Sequence, residues 1–179
     1  MENVYLIGFM GTGKTTIAAK LVDYLRENSP DGKNLELVEM DEAIEKEQGR
    51  TIKEIFKEEG EEAFRDYETA FLKKIARKKN LIVSCGGGSV LRKENIEIMK
   101  SSGKVVWLDA DPLTIYERIK DTKNRPLLEN KMTPEYIGVM KAKREPNYKE
   151  AAHIRIETDV ITIEEIVMLL FPRFRLDKR

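Results

Sequence analysis

Apolar positions along the chain fall into short β-branched runs separated by longer stretches at helical spacing. Val4-Tyr5-Leu6-Ile7 is one such run, bounded by Gly8, and Ile17, Leu21, Val22 and Leu25 then recur with the period of one helix face. The pattern predicts strand, glycine loop, helix. After the turn cluster Ser29-Pro30-Asp31-Gly32, a second strand is expected from Leu35 to Met40, delivering Asp41 and Glu42 at its C-terminal end. Thr51 to Glu54 has capping-box spacing and opens a short helix that Gly60 can close. Phe64, Tyr67, Phe71 and Ile75 stripe a longer helix, with Arg65 just off the stripe.

Leu81 to Cys85 predicts a third strand leading into Gly86-Gly87-Gly88. Val105 to Leu108 predicts a fourth, followed by Asp111 as N-cap and Pro112 as first helical residue. A polar stretch at about 121–131 contains Arg125-Pro126-Leu127-Leu128 and reads as a loop. Beyond it lie a helix from Pro134 to about Glu145, a fifth strand near Ile154 to Ile156 and a helix capped at Thr162. Strands alternating with helices imply a three-layer α/β/α fold around a parallel sheet. With 179 residues and no internal repeat, a single domain over 1–179 is expected.

Composition narrows the function classes. Lys plus Arg and Asp plus Glu number 32 each, so no net field favours nucleic acid or an acidic membrane. Cys85 is the only cysteine, which excludes an intrachain disulfide and a Cys-rich zinc site and suits a reducing cytosol. No apolar run approaches the ~18 residues of a membrane span, so a cytoplasmic enzyme without membrane or nucleic-acid partners is expected. The one histidine, His153, has no ligand or nucleophile at a suggestive spacing and reads as structural.

The chemistry starts at Gly8-Phe9-Met10-Gly11-Thr12-Gly13-Lys14-Thr15, which matches the phosphate-binding pattern G-x-x-x-x-G-K-[ST] in its strand-before, helix-after context. Gly11, Thr12, Gly13 and Thr16 belong to the nucleotide-cradling loop. Glycines let backbone N–H groups curl around phosphate oxygens at the positive end of the next helix. Lys14 is expected on the β and γ phosphates of ATP, and the Thr15 hydroxyl on Mg2+. Asp41, at a strand end beside this loop, can orient an acceptor hydroxyl and take its proton. Gly86, Gly87 and Gly88 offer close backbone approach to a small ligand. Arg65 and Arg144 can each make forked bonds to a ligand carboxylate, although either one alone reads as a solvated surface arginine. Asp109, ending an apolar strand, is a rival magnesium carboxylate.

Taken together these motifs resemble the shikimate kinase family. The likeness rests on Gly11-Thr12-Gly13-Lys14-Thr15-Thr16, Asp41 with Ile44-Glu45, Ile55-Phe56, Gly60-Glu61, Phe64-Arg65 with Glu68, Gly86-Gly87-Gly88, Arg118, Arg125-Pro126-Leu127-Leu128, and Arg144 with Tyr148. It implies an ATP:shikimate 3-phosphotransferase of aromatic amino-acid synthesis, with a five-stranded sheet in the order 2-3-1-4-5, and a monomer is expected. It also implies that Asp41, Arg65, Gly87 and Arg144 hold shikimate, in a helical region at about 41–70 and beyond. Arg118 would lie near the adenine and Arg125 on a mobile lid at 121–131, reaching the transferring phosphoryl group.

Two departures stand out. Glu39 replaces the usual Asp two residues before Asp41, and the segment Thr158 to Thr162 lacks the basic residue that some members place against adenine. The competing readings are a kinase for gluconate or a nucleoside monophosphate, and a catalytically silent P-loop regulator or nucleic-acid-dependent NTPase.

Overall fold

Five parallel strands form the central sheet in the order β2-β3-β1-β4-β5. They are β1 (Asn3–Ile7), β2 (Glu36–Glu39), β3 (Leu81–Ser84), β4 (Gly103–Asp109) and β5 (Ile154–Glu157). This computed structural model describes residues 1–30, 32–120 and 133–174. The expected lid at 121–131, and Arg125 with it, lies outside the described residues.

The sheet is buried on both faces, as a parallel sheet with helical crossovers must be. Along β1 and β4 the two-residue side-chain period divides the core. Tyr5, Ile7, Val105 and Trp107 face one layer; Val4, Leu6, Val106 and Leu108 face the other. The second layer is closed by α1 (Lys14–Asn28), through Ile17, Ala18, Leu21, Val22 and Leu25, and by α8 (Ile163–Phe174). The first is closed by α2 (Met40–Gln48), α3 (Ile52–Glu58), α4 (Glu61–Ile75), α5 (Lys93–Ser102) and α7 (Pro134–Ala151). The remaining helix, α6 (Pro112–Ile119), packs Ile115 and Ile119 with Ile137 of α7 against Phe9. Trp107, 2% exposed and stacked on Tyr148 with ring centroids 5.6 Å apart, anchors the first layer. Removing a buried aromatic of this kind costs about 3–5 kcal/mol.

Local chemistry sets the helix starts. Thr51 and Glu54 form the expected capping box, Asp111 accepts from Leu113 N ahead of Pro112, and Thr162 and Glu165 cap α8 reciprocally. Two boundaries differ from the sequence expectation. β2 passes into α2 without a loop, so Asp41 sits on the first turn of a helix rather than on a strand end. Helix α7 continues past Glu145 and through Pro146 to Ala151, because Tyr148 and Ala151 are buried against the sheet and outweigh the hydrogen bond lost at the proline.

Candidate active site

The C-terminal ends of β1, β2 and β3 open onto a cleft of about 600 Å³. Its floor is the phosphate-binding loop. Gly11 and Gly13 have φ of 76° and 89°, a left-handed conformation open to glycine at little cost, and Gly13 leads directly into the N-terminus of α1. Thr12 is buried, its hydroxyl donating to Phe9 O at 2.8 Å, which locks the loop from within. Lys14 Nζ donates to Gly8 O at 2.9 Å and Phe9 O at 3.0 Å, so the ammonium stands over the loop. Thr15 and Thr16 line the cleft and are exposed to it.

Beside Thr15 the end of β2 presents Glu39. The Thr15 hydroxyl donates to Glu39 Oε2 at 3.1 Å, while Glu39 Oε1 is buried with no hydrogen-bond partner among the described residues. Burial raises the Glu39 carboxyl above its usual range, and the Ser84 and Thr15 hydroxyls partly oppose this. A hydroxyl beside an under-coordinated carboxylate suits magnesium, which takes one or two protein oxygens and fills its shell with water and phosphate. The longer Glu39 side chain therefore still reaches the Thr15 hydroxyl. Asp109, the rival, is engaged elsewhere. It is buried, with Oδ1 2.8 Å from Lys141 Nζ and accepting from Ala110 N, and with Oδ2 accepting from Arg155.

Beside the loop the glycine triplet follows β3, and at Gly86 and Gly88 space rather than φ favours glycine. A β-carbon at Gly86 would lie 2.6 Å from Asp41 Oδ1 and 2.9 Å from Glu68 Oε1. One at Gly88 would overlap the Arg65 guanidinium. Asp41, Arg65 and Glu68 therefore crowd the triplet from α2 and α4. Arg144 comes from α7, its Nη1 donating to Gly87 O at 3.1 Å and its guanidinium lying 5.4 Å from the centre of the Phe9 ring. Tyr148, one turn on, donates to the same carbonyl at 2.7 Å, and burial pushes its phenol up to about 12 against the pull of Arg144.

Neither arginine is the solvated surface residue that each resembled singly. Arg65 is 5% exposed and Arg144 6%. Arg65 is held by Glu68 Oε2 at 2.5 Å and Glu61 Oε1 at 2.7 Å. Glu68 is fully buried, and its Oε1 has no hydrogen-bond partner among the described residues. Burial raises its carboxyl to about 7, against the attraction of Arg65 and with the Asp41 charge adding to the rise. Glu61 and Glu68 carry no assigned role in the sequence analysis. Their positions four before and three after Arg65 were the available signal, since those offsets share a helix face.

At the far end of the cleft Arg118 donates to Gly11 O, Thr158 Oγ1 and Thr158 O, and Ile161, Thr162, Ile163 and Ile166 continue the wall. Cys85 also lines the cleft, but burial raises its thiol far above the ordinary value, so it stays neutral. His153 accepts from Val105 N through Nδ1 at 3.0 Å, joining β4 to the start of β5 as a structural residue.

Known proteins resemble the chain in sequence and in fold. The family model described as shikimate kinase matches residues 10–172. A shikimate kinase from Persephonella marina is 40% identical over 175 residues, covering 98% of this chain and 100% of its own length. One from Thermodesulfovibrio yellowstonii is 42% identical over 166 residues, 93% of this chain and 91% of the relative. Among solved structures, the shikimate kinase of Acinetobacter baumannii in complex with shikimate superposes with a TM-score of 0.86 at 33% identity, covering 97% of this chain and 92% of that one. With a cleft built on a phosphate loop, and with a family model and relatives matched along nearly their whole length, the chain belongs to the shikimate kinase family.

Proposed function

We propose that this enzyme transfers the γ-phosphoryl group of ATP to the 3-hydroxyl of shikimate, and that the residues gathered at the cleft divide the work as follows. The observation that carries the assignment is the pair of buried guanidiniums, Arg65 and Arg144, gathered with Asp41 at the glycine triplet. Arg65 is already balanced by Glu61 and Glu68, whereas Arg144 donates to the uncharged Gly87 carbonyl and can offer its planar fork to a ligand carboxylate.

Backbone N–H groups from Gly11 to Thr16 and the N-terminus of α1 hold the phosphates, and Lys14 follows the β and γ oxygens. Thr15 and Glu39 would hold magnesium, which when bound neutralises charge on those phosphates. Arg65, Arg144 and the Gly86–Gly88 backbone fix the acceptor ring. Asp41 accepts the proton of the attacking hydroxyl as its oxygen bonds to the γ-phosphorus and the bond to the β–γ bridging oxygen breaks, releasing ADP. Arg118, tied to Gly11 O and Thr158, lies along the nucleotide. The absence of a membrane-length apolar helix among the described residues is compatible with the cytoplasmic setting proposed for it.

The test is ADP release coupled to a dehydrogenase, run with shikimate, quinate, gluconate and nucleoside monophosphates. Turnover confined to shikimate, or much the fastest with it, is the expected result. Equal or better turnover with gluconate or a nucleotide would overturn the assignment.

A further inference from the structure

Helix α7 contains a proline beside its functional arginine. Pro146 has no N–H to give to the carbonyl of Ala142, and its ring crowds that turn. The hydrogen-bond ladder is thus interrupted between the half carrying Arg144 and the half carrying Tyr148. The later half has its own anchors. Tyr148 donates to Gly87 O and stacks on Trp107, and Asn147 Nδ2 donates to Val90 O at 2.9 Å.

The earlier half is packed through Ile137 against α6 and Phe9, and one turn before Arg144 it is fastened to the sheet by Lys141. Its Nζ lies 2.8 Å from Asp109 Oδ1 and donates to Ala110 O at 2.6 Å, at the end of β4. Lys141 precedes Arg144 by one turn, so the two side chains leave the same face of α7. Unlike Lys143 and Lys149 of the same helix, which are exposed, its side chain is only 16% exposed. The strand end that receives it also borders the nucleotide side. Leu108 O abuts Gly8, and Asp109 O accepts from the N–H of Thr158, which in turn binds Arg118.

We propose that Lys141, through its ion pair with Asp109, is a positioning residue for the phosphoryl acceptor, fixing the first half of α7 so that the Arg144 guanidinium stands at the acceptor carboxylate. The inference rests on the reading of Arg144 as a carboxylate-binding residue. A purely structural role predicts a different outcome. Removing the Lys141 charge leaves Asp109 paired with Arg155 at 2.8 Å, so no buried carboxylate is stranded. Methionine keeps the length of the stem, so Lys141→Met is expected to fold. Freed of that anchor, the turn of α7 between the buried Ile137 and Pro146 can shift along the strand end, and a misplacement of about 1 Å at a contact residue is enough to weaken productive binding severely.

The experiment compares Lys141→Met, Lys141→Arg, Arg144→Lys and the Lys141→Met/Arg144→Lys double variant by steady-state kinetics, together with shikimate Kd measured calorimetrically without nucleotide. Lys141→Met is expected to raise KM and Kd for shikimate about tenfold, with KM for ATP and kcat within about twofold of wild type. Lys141→Arg should recover most of the loss, and the double variant should bind shikimate no worse than Arg144→Lys alone, since both changes act on one guanidinium. Asp109→Asn, isosteric with the native side chain, should shift shikimate affinity in the same direction even if Lys141→Met folds poorly. Unchanged shikimate affinity in Lys141→Met and Asp109→Asn, with Arg144→Lys clearly weakened, would overturn the anchor while sparing the Arg144 reading. Multiplicative losses in the double variant would overturn it as well. Unchanged affinity in Arg144→Lys would instead overturn the reading of Arg144, and the proposed route with it.

Discussion

On the function proposed above, the nucleotide side and the acceptor side of the site recognise their ligands by opposite means. On the nucleotide side the recognising groups are backbone N–H groups, shaped by Gly11 and Gly13 in left-handed conformations within one continuous segment. On the acceptor side they are charged side chains, Asp41, Arg65 and Arg144, brought from α2, α4 and α7 around a glycine triplet that follows β3. A loop of backbone dipoles costs little to build because its charge is partial. Burying two guanidiniums requires partners, and Glu61, Glu68, Gly87 O and the Phe9 ring provide them. Damage to the first half should therefore appear in phosphate chemistry, and damage to the second in acceptor affinity and in pH behaviour.

The largest expected effect is that of Lys14→Met. Loss of its charge from the phosphoryl oxygens should lower kcat about a hundredfold or more while circular dichroism stays native. A variant keeping a tenth or more of wild-type kcat would show that the lysine does not contact the transition state. Asp41→Asn comes next. It should lower kcat roughly a hundredfold or more, the usual contribution of a general base, while ATP affinity measured by titration stays put. Comparable loss of ATP binding would place Asp41 on the wrong half of the cleft.

A pair of glycine substitutions sharpens the division between the halves. A β-carbon at Gly11 would lie 2.8 Å from Ile119 Cγ2 in a backbone conformation that alanine resists, whereas one at Gly88 overlaps Arg65. Gly11→Ala should raise KM for ATP and Gly88→Ala KM for shikimate, each by about tenfold, the scale of 1–2 kcal/mol of lost contact. If both raise both constants equally, the two halves do not act separately.

The last effect concerns the pH dependence of stability rather than turnover, and it centres on Glu68 on the acceptor side. Because Glu68 titrates at about 7 in the fold against 4.5 when free, the folded state holds the proton more tightly. Its contribution to stability is complete below pH 4.5 and is lost as pH rises through about 7, a change on the order of 3 kcal/mol. Thermal melts should show Tm falling across that window, and Glu68→Gln should flatten the slope. An unchanged slope in Glu68→Gln would mean that Arg65 keeps the carboxylate ionised throughout.

Most of the fold follows from local rules. Strand runs of two-residue period, helical stripes such as Ile17 to Leu25, and the caps at Thr51, Asp111 and Thr162 each act within a few residues, so their signals lie in contiguous sequence. The phosphate loop is legible for the same reason, since its function is its own backbone. Where local rules ended a helix too early, at Glu145, burial of Tyr148 and Ala151 against residues distant in sequence decided the outcome.

The sequence by itself thus determined the alternating layers and the nucleotide floor, and its ordered motifs pointed to the family. Only the tertiary structure decided that Arg65 and Arg144 are buried, that Glu68 rather than solvent faces Arg65, and that Asp109 binds Lys141 and Arg155 instead of joining Glu39 beside Thr15. Those outcomes depend on the environment of a charge. Burial and partners arrive from elements tens of residues apart, and no spacing rule along the chain carries that information.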